Sequence, residues 1–193
     1  MMDNMQNKKQ IFQHLHKVIG AIPKVYSFYD ANETSKIDVY IGADRPDFDL
    51  TTYSTIGLSE YSIGLATKDG KQIRVEFIAT CNSRDFEFPN ILANCAFNII
   101  NDGYSCRPGI VYPDIISAYY NNIEMKHIYF TTPSLWEGLH SIEKEDKLIL
   151  WLLALPISEN EFMYLRENGS DALETLLEKN NINFSDLNRK SVV

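Results

Sequence analysis

Ser59, Glu76 and His127 are the residue types that a hydrolytic triad needs: a hydroxyl nucleophile, an orienting carboxylate and a base. Their local patterns point elsewhere. Gly57-Leu58-Ser59-Glu60 lacks the glycine after serine that a nucleophile elbow requires. Ser59 reads instead as a turn residue bonding its local backbone. His127 falls beside Tyr129 in a strand pattern, where a packed or hydrogen-bonded ring is the ordinary outcome. Glu76 is the one carboxylate in the apolar run Arg74-Val75-Glu76-Phe77-Ile78-Ala79. Period-2 alternation puts it on the same face as Arg74, and a buried carboxylate is expected to pair with that or another cation. His14 and His16 stand two apart on a helical stretch, so they diverge and cannot share a metal. Cys81, Cys95 and Cys106 form no CxxC pair and read as reduced, packed thiols. There is no P-loop and no GxGxxG. No catalytic residue, metal ligand or cofactor site is expected, and that absence points to a binding protein.

Charge is the remaining candidate for recognition. The formal net charge is −8, which argues against sequence-independent binding to nucleic-acid phosphates. The acids cluster: residues 21–50 and residues 141–170 each hold six acids against three bases. Within them Asp44, Asp47, Phe48 and Asp49 form one candidate partner-binding segment, and Glu143, Glu145 and Asp146 form another. Such segments are ordinarily solvated surface. Set on loops of a rigid sheet they also suit a basic protein partner, with Phe48 as the apolar anchor.

Behind these residues stand the elements that must position them. Ile11, Phe12, Leu15, Val18 and Ile19 share one helical face, so a helix is expected over 6–19, closed by Gly20. Lys24–Tyr29 and Lys36–Ile41 read as a hairpin, and Thr52–Leu58 as a further strand. Ile63–Thr67 and Gln72–Thr80 flank an Asp-Gly turn and read as a second hairpin. Phe88–Ile100 switches to a helical period with Pro89 in its first turn. Gly109–Tyr112 and Lys126–Phe130 are two more strand patterns. Leu148–Leu155 is an apolar run too short for a membrane helix, and it reads as a strand buried on both faces. Pro156, with no N–H to donate, is expected to stop its ladder. Ser158 and Glu161 have capping-box spacing, so a helix follows to Asn168, and Ser170 opens another. From about residue 182 the tail reads as polar and irregular.

Apolar residues make up 45% of the 193-residue chain, enough to bury a core without staples. The expected class is α+β: a mixed, mainly antiparallel sheet covered by helices in a single domain spanning 1–193. The N-terminal stretch has no apolar run after its lysines, so it is not expected to be a secretion signal, and a cytoplasmic location with no membrane contact is expected.

The ordered landmarks resemble the Suppressor of fused domain family, from roughly Tyr53 to Val193. They are TTYSTIGLSE with its Gly-Leu-Ser turn, IRVEFIA with an inward Glu76, and FPNILANCAFNII opened by Phe88-Pro89. MKHIYFTTP, the strand and capped helix of LILWLLALPISENEFMYL, and DLNRKSV with Asp186 and Arg189 complete the series. Bacterial members of that family resemble immunity proteins encoded beside secreted toxins. The resemblance implies an antitoxin without enzymatic activity, acting on a cognate toxin, a basic nuclease of the kind found in LXG-type systems. The runner-up is a regulatory module that sequesters a host protein or peptide, as animal relatives do. A hydrolase built on Ser59, His127 and Glu76 ranks third.

Overall fold

A computed structural model describes residues 2–193. The chain opens with helix α1 (Met2–Ile19), whose Ile11, Leu15 and Ile19 recur every four residues and are buried. Strands β1 (Lys24–Tyr29), β2 (Lys36–Ala43) and β3 (Leu50–Ile56) follow as an antiparallel meander. A single 3-10 turn at Leu58–Glu60 precedes β4 (Gln72–Asn82) and helix α2 (Phe88–Ile100). The second half supplies β5 (Val111–Tyr112), β6 (Met125–Thr131), β7 (Ile142–Glu143), β8 (Lys147–Ser158), and helices α3 (Glu159–Asn168) and α4 (Ser170–Lys179).

The eight strands make one sheet in the order β1-β2-β3-β4-β8-β6-β5, with β7 added beside the start of β8. All pairings are antiparallel except β4 with β8. β8 is therefore interior, as its continuous apolar run requires. One core lies between the sheet and α2, where Val75, Phe77, Ala79 and Leu152 meet Ile91, Leu92 and Cys95, with Ile73 packed against it. The other lies on the opposite face, where Tyr40, Ile78, Trp151 and Leu155 meet α1 and the Leu173 and Leu177 stripe of α4. Alternation along β4 decides which residue serves which core.

Three local expectations need correction. Pro156 does not stop the ladder; it lies within β8 opposite Ile128 of β6. The β4 pairing of β8 ends at Leu153, so Pro156 is paired on one side only, where a missing N–H is tolerated. Ile63–Thr67 forms no strand; it meets the start of β4 through an isolated bridge of Ala66 with Gln72 and the turn bonds around it. It still lies beside the start of β4, where the Ile73 N–H donates to the Leu65 carbonyl, while β8 pairs along the other side of β4. The tail from 182 is irregular but not free: Ser185, Leu187 and Arg189 are buried. It ties the end of β4 to the start of β6, since the Asn82 N–H donates to the Ser185 carbonyl and the Met125 N–H to that of Leu187.

Candidate partner-binding surface

Among the described residues no cation contacts the inward carboxylate of β4. Glu76 is fully buried, and each of its oxygens accepts two hydrogen bonds. Oε1 takes the Gly57 and Ser59 N–H groups, both at 3.0 Å. Oε2 takes the Thr55 hydroxyl at 2.6 Å and the Leu58 N–H at 3.2 Å. Thr55 Oγ1 itself accepts the Phe77 N–H at 2.8 Å, so its own proton is free for Glu76. The expected pairing with Arg74 is absent. A concave run of backbone N–H groups at Gly57-Leu58-Ser59 replaces the cation. Gly57 has a φ of 100°, which turns the chain so that these amides converge. Burial pushes the Glu76 pKa up from its ordinary value, while the Thr55 hydroxyl and the Ser59 and Gly57 amides oppose that push. Ser59 differs from its expected role too: its hydroxyl accepts from Asn7 Nδ2 at 3.4 Å, tying α1 to this turn.

A second fully buried carboxylate, Glu161, lies at the far end of β8. Ser158 caps α3 through the expected capping box, its hydroxyl accepting the Glu161 N–H and its N–H donating to Glu161 Oε2. Arg189 closes the site with Nη1 on Oε1 at 2.6 Å and Nη2 on Oε2 at 2.8 Å. The Val192 N–H adds a bond to Oε1 at 3.1 Å. Arg189 Nη2 also donates to the Pro156 carbonyl at 3.1 Å, an acceptor on the strand segment that β4 leaves unpaired.

His127 belongs to neither carboxylate. Its Nδ1 accepts the Asp114 N–H at 2.9 Å, which places the ring proton on Nε2, facing Glu159 Oε2 at 3.0 Å. Asp114, His127 and Glu159 thus gather three potential metal ligands. A metal on Nε2 would leave the ring with no proton on either nitrogen, because Nδ1 is already an acceptor. Metal-binding histidines ordinarily keep a proton on the second nitrogen. The group reads as a buried histidine tying the segment before β6 to the start of α3. Ser59, Glu76 and His127 therefore do not assemble as a triad: Ser59 sits against Glu76, but His127 is engaged elsewhere, with Asp114 and Glu159.

The acidic segments lie at opposite ends of the sheet. Leu50 is opposite Asn82, so the loop 44–49 sits where β4 finishes. Gln72 is opposite Lys147 in the parallel pair, so the turn 143–146 sits where β4 begins. Eleven residues of strand separate the two, about 30 Å at the usual rise. Their electrostatics differ as well. Glu143 is paired with Lys71, and Lys144 and Lys147 stand within the same turn. Asp44, Asp47 and Asp49 are all exposed, with Arg45 as the one base among them, and Arg45 turns back to the Gly20 carbonyl. Phe48 is 80% exposed at the tip of this loop. The neighbouring loop after β4 carries Phe86, exposed to the same degree, and is joined to it by the Ser83 N–H on the Asp49 carbonyl at 2.8 Å. Phe86 was not singled out in the sequence, because a lone Phe before a helix reads as core. A third acidic surface is a cleft of about 730 Å³ between α4 and the β6–β8 face. Asp171, Glu174 and Glu178 line it, and the Tyr129 and Thr131 hydroxyls both donate to Glu174.

The order of these parts is matched in known proteins. The Suppressor of fused protein (SUFU) family matches residues 33–190. The chain belongs to this family. The match begins upstream of Tyr53, taking in the end of the β1–β2 turn and all of β2. Over 189 residues the chain is 41% identical to "Immunity protein YqcF" of Bacillus subtilis (strain 168), covering 97% of this chain and 98% of that protein. A solved SUFU homologue from Neisseria gonorrhoeae superposes with a TM-score of 0.74 at 18% identity, over 98% of both chains. A chain of the Sufu–Fu complex superposes with a TM-score of 0.66 at 12% identity, over 96% of this chain and 92% of that one. These structures share the SUFU fold, α+β with a mainly antiparallel sheet. Among the described residues no helix is long and apolar enough to cross a membrane.

Proposed function

We propose that this SUFU-family chain is an immunity protein that binds and neutralises a cognate secreted toxin in the cytoplasm, by protein–protein contact and without catalysis. The observation that carries the reading is the 41% identity to YqcF across nearly the whole of both chains. The unassembled triad supports a role in binding, as does a net charge of −8. The toxin is a nuclease with a basic substrate groove, to which an acidic protein is electrostatically complementary. The contact surface is the β2–β3 loop, with Asp44, Asp47 and Asp49 supplying charge and Phe48 the buried anchor. Glu143, Glu145 and Asp146 rank below it, because Lys71 pairs with Glu143 and Lys144 and Lys147 flank the other two. The test is direct: the purified protein is titrated into the toxin domain encoded beside it, and nucleic-acid cleavage is followed. Stoichiometric inhibition is expected. Full cleavage at excess protein, together with no complex on a sizing column, overturns the reading. The second reading, a module that holds a regulatory protein, is favoured by the likeness to the Sufu–Fu complex. It predicts a tight partner that carries no toxin activity.

A further inference from the structure

The two ends of the strand order, β5 and β1, are treated differently. β5 is two residues long, a short edge of the kind that resists further pairing. β1 is six residues long, and among the described residues it pairs with β2 alone. It contains no proline, glycine or bulge, and Lys24 is its one charge. Five of its six residues are exposed. Ile22, Val25, Tyr26 and Tyr29 are respectively 93%, 44%, 52% and 56% exposed within eight residues of chain. A long, flat, aromatic edge in water is a template for another strand.

The hydrogen-bond parity of β1 selects what can pair with it. The Asp30 N–H donates to the Ser35 carbonyl at 3.1 Å, in register with the β1–β2 ladder. Alternate residues back along the strand, Phe28, Tyr26 and Lys24, therefore turn their amides toward β2. Val25, Ser27 and Tyr29 turn theirs outward. A second β1 running antiparallel about a two-fold axis at Ser27 puts outward residue against outward residue: Val25 on Tyr29, Ser27 on Ser27, Tyr29 on Val25. The same register brings Tyr26 against Phe28 and sets Lys24 opposite Asp30. Asp30 holds its position by accepting the Thr34 and Ser35 amides, so its carboxylate is fixed at the end of the strand. Amide parity, aromatic pairing and charge are all satisfied by one register of the strand with itself.

We propose that β1 is a dimerisation edge, and that two copies of this chain join there into one continuous sheet about a two-fold axis at Ser27. This goes beyond the toxin-binding reading and does not depend on it. The wild-type protein should sediment at twice the 22.2 kDa chain mass and dissociate on dilution. Ser27→Pro removes an outward N–H that β2 does not use, and an edge strand tolerates that loss. It should give a folded monomer, by circular dichroism and sedimentation. Paired residues at the axis sit about 5.5 Å apart between Cα atoms, inside the span of about 4.4–6.8 Å that a disulfide bridges. Ser27→Cys should therefore form a covalent dimer on mild oxidation. Lys24→Cys, about 20 Å from its own copy in this register, should not. The native cysteines are buried and do not compete. A wild-type chain that stays monomeric at every concentration overturns the proposal. So does Lys24→Cys cross-linking as fast as Ser27→Cys. If Ser27→Pro fails to fold, the cross-linking contrast still decides.

Discussion

Two carboxylates, Glu76 and Glu161, are equally buried and accept the same number of hydrogen bonds, two on each oxygen. They differ in who donates. Glu76 is held by three backbone amides and one hydroxyl, with no positive charge in contact. Glu161 is held by two amides and a guanidinium from the tail. The first is a local device: residues 55–59 fold over the carboxylate of the neighbouring strand, fixing a turn. The second is a long-range device: Arg189 is reached from Glu161 across 28 residues, and it pins the end of the chain against Pro156. Side-chain truncation leaves backbone amides in place, so short of a proline in the turn the Glu76 site fails only through Glu76, Thr55 or the backbone geometry. The Glu161 site can be opened by losing one side chain.

The comparison is broken most severely by a carboxylate with no cradle at all. Leu152 lies in the same sheet at 3% exposure, within the apolar core against α2. Leu152→Asp should leave no folded soluble protein, because an unpaired buried charge costs more than a domain of this size can spare. A soluble Leu152→Asp with a cooperative melt would show that this core hydrates readily, and the cradles would lose their meaning.

Next come the cradles themselves. In Glu76→Gln the new amide must face two N–H or O–H donors whichever way it is turned, since both oxygens are doubly occupied. Leaving those donors unmet should cost about 2–6 kcal/mol. Arg189→Ala strands the Glu161 charge and should cost about 3–5 kcal/mol. Replacing the pair together, Glu161→Leu with Arg189→Met, should recover much of that loss, because the charge needing compensation is gone. Urea melts of the three variants decide this. If the double variant is no better than Arg189→Ala, the tail is held by shape and amides, not by the pair.

These two sites also show what could be read from residue order and what could not. Ser158 and Glu161 announced their capping box by spacing, because a cap is a local motif. Glu76 stood out as an inward carboxylate, but its partner was misassigned to Arg74. Side-chain alternation is visible in a sequence, whereas three converging amides at Gly57-Leu58-Ser59 carry no side-chain signature. Helix α2 matched its expected bounds because period, proline and glycine agreed there. Strand β7, two residues long, has no period to read. Ile63–Thr67 reads as a hairpin arm but bonds β4 only at its start, and the long parallel partner on the other side of β4 is β8, some 75 residues on, which no local pattern announces. The placement of the two acidic segments at opposite ends follows from that one parallel pairing, which local pattern does not encode.

A partly buried carboxylate, Asp38, sharpens the scale between cradle and surface. Asp38 pays for partial burial, but the Lys8 ammonium, the Ser27 hydroxyl and Lys36 more than offset it, and its pKa is lowered. A depressed folded pKa means its contribution is complete above the ordinary carboxylate value and is lost as pH falls through the folded one. Asp38→Asn should therefore lower Tm slightly at neutral pH, by no more than about 1 kcal/mol equivalent after screening. The difference from wild type should shrink at strongly acidic pH. A gap that stays constant with pH would mean the aspartate acts by shape alone.

The smallest effect on stability is expected where the effect on binding should be largest. Asp44 and Asp49 have φ values of 54° and 63°, a left-handed region that asparagine adopts more readily than most residues. Asp44 Oδ1 accepts the Asp49 N–H, and an asparagine oxygen can do the same. Replacing Asp44, Asp47 and Asp49 together by Asn therefore removes three charges and leaves the loop's geometry in place. Stability should move by less than about 0.5 kcal/mol. Toxin association should slow at low salt and converge with wild type at high salt, since exposed charges steer encounter within a Debye length. Phe48→Ala should act on the other half of the constant, raising the dissociation rate, because a desolvated aromatic anchor holds a complex once formed. The matching variant at Glu143, Glu145 and Asp146, with lysines already beside those acids, should change the association rate less. If neither acidic set alters association while Phe48→Ala still weakens the complex, the contact is aromatic and charge plays no part. If all three variants bind as wild type does, the β2–β3 loop is not the interface, and the acid-lined cleft beside α4 becomes the next surface to mutate.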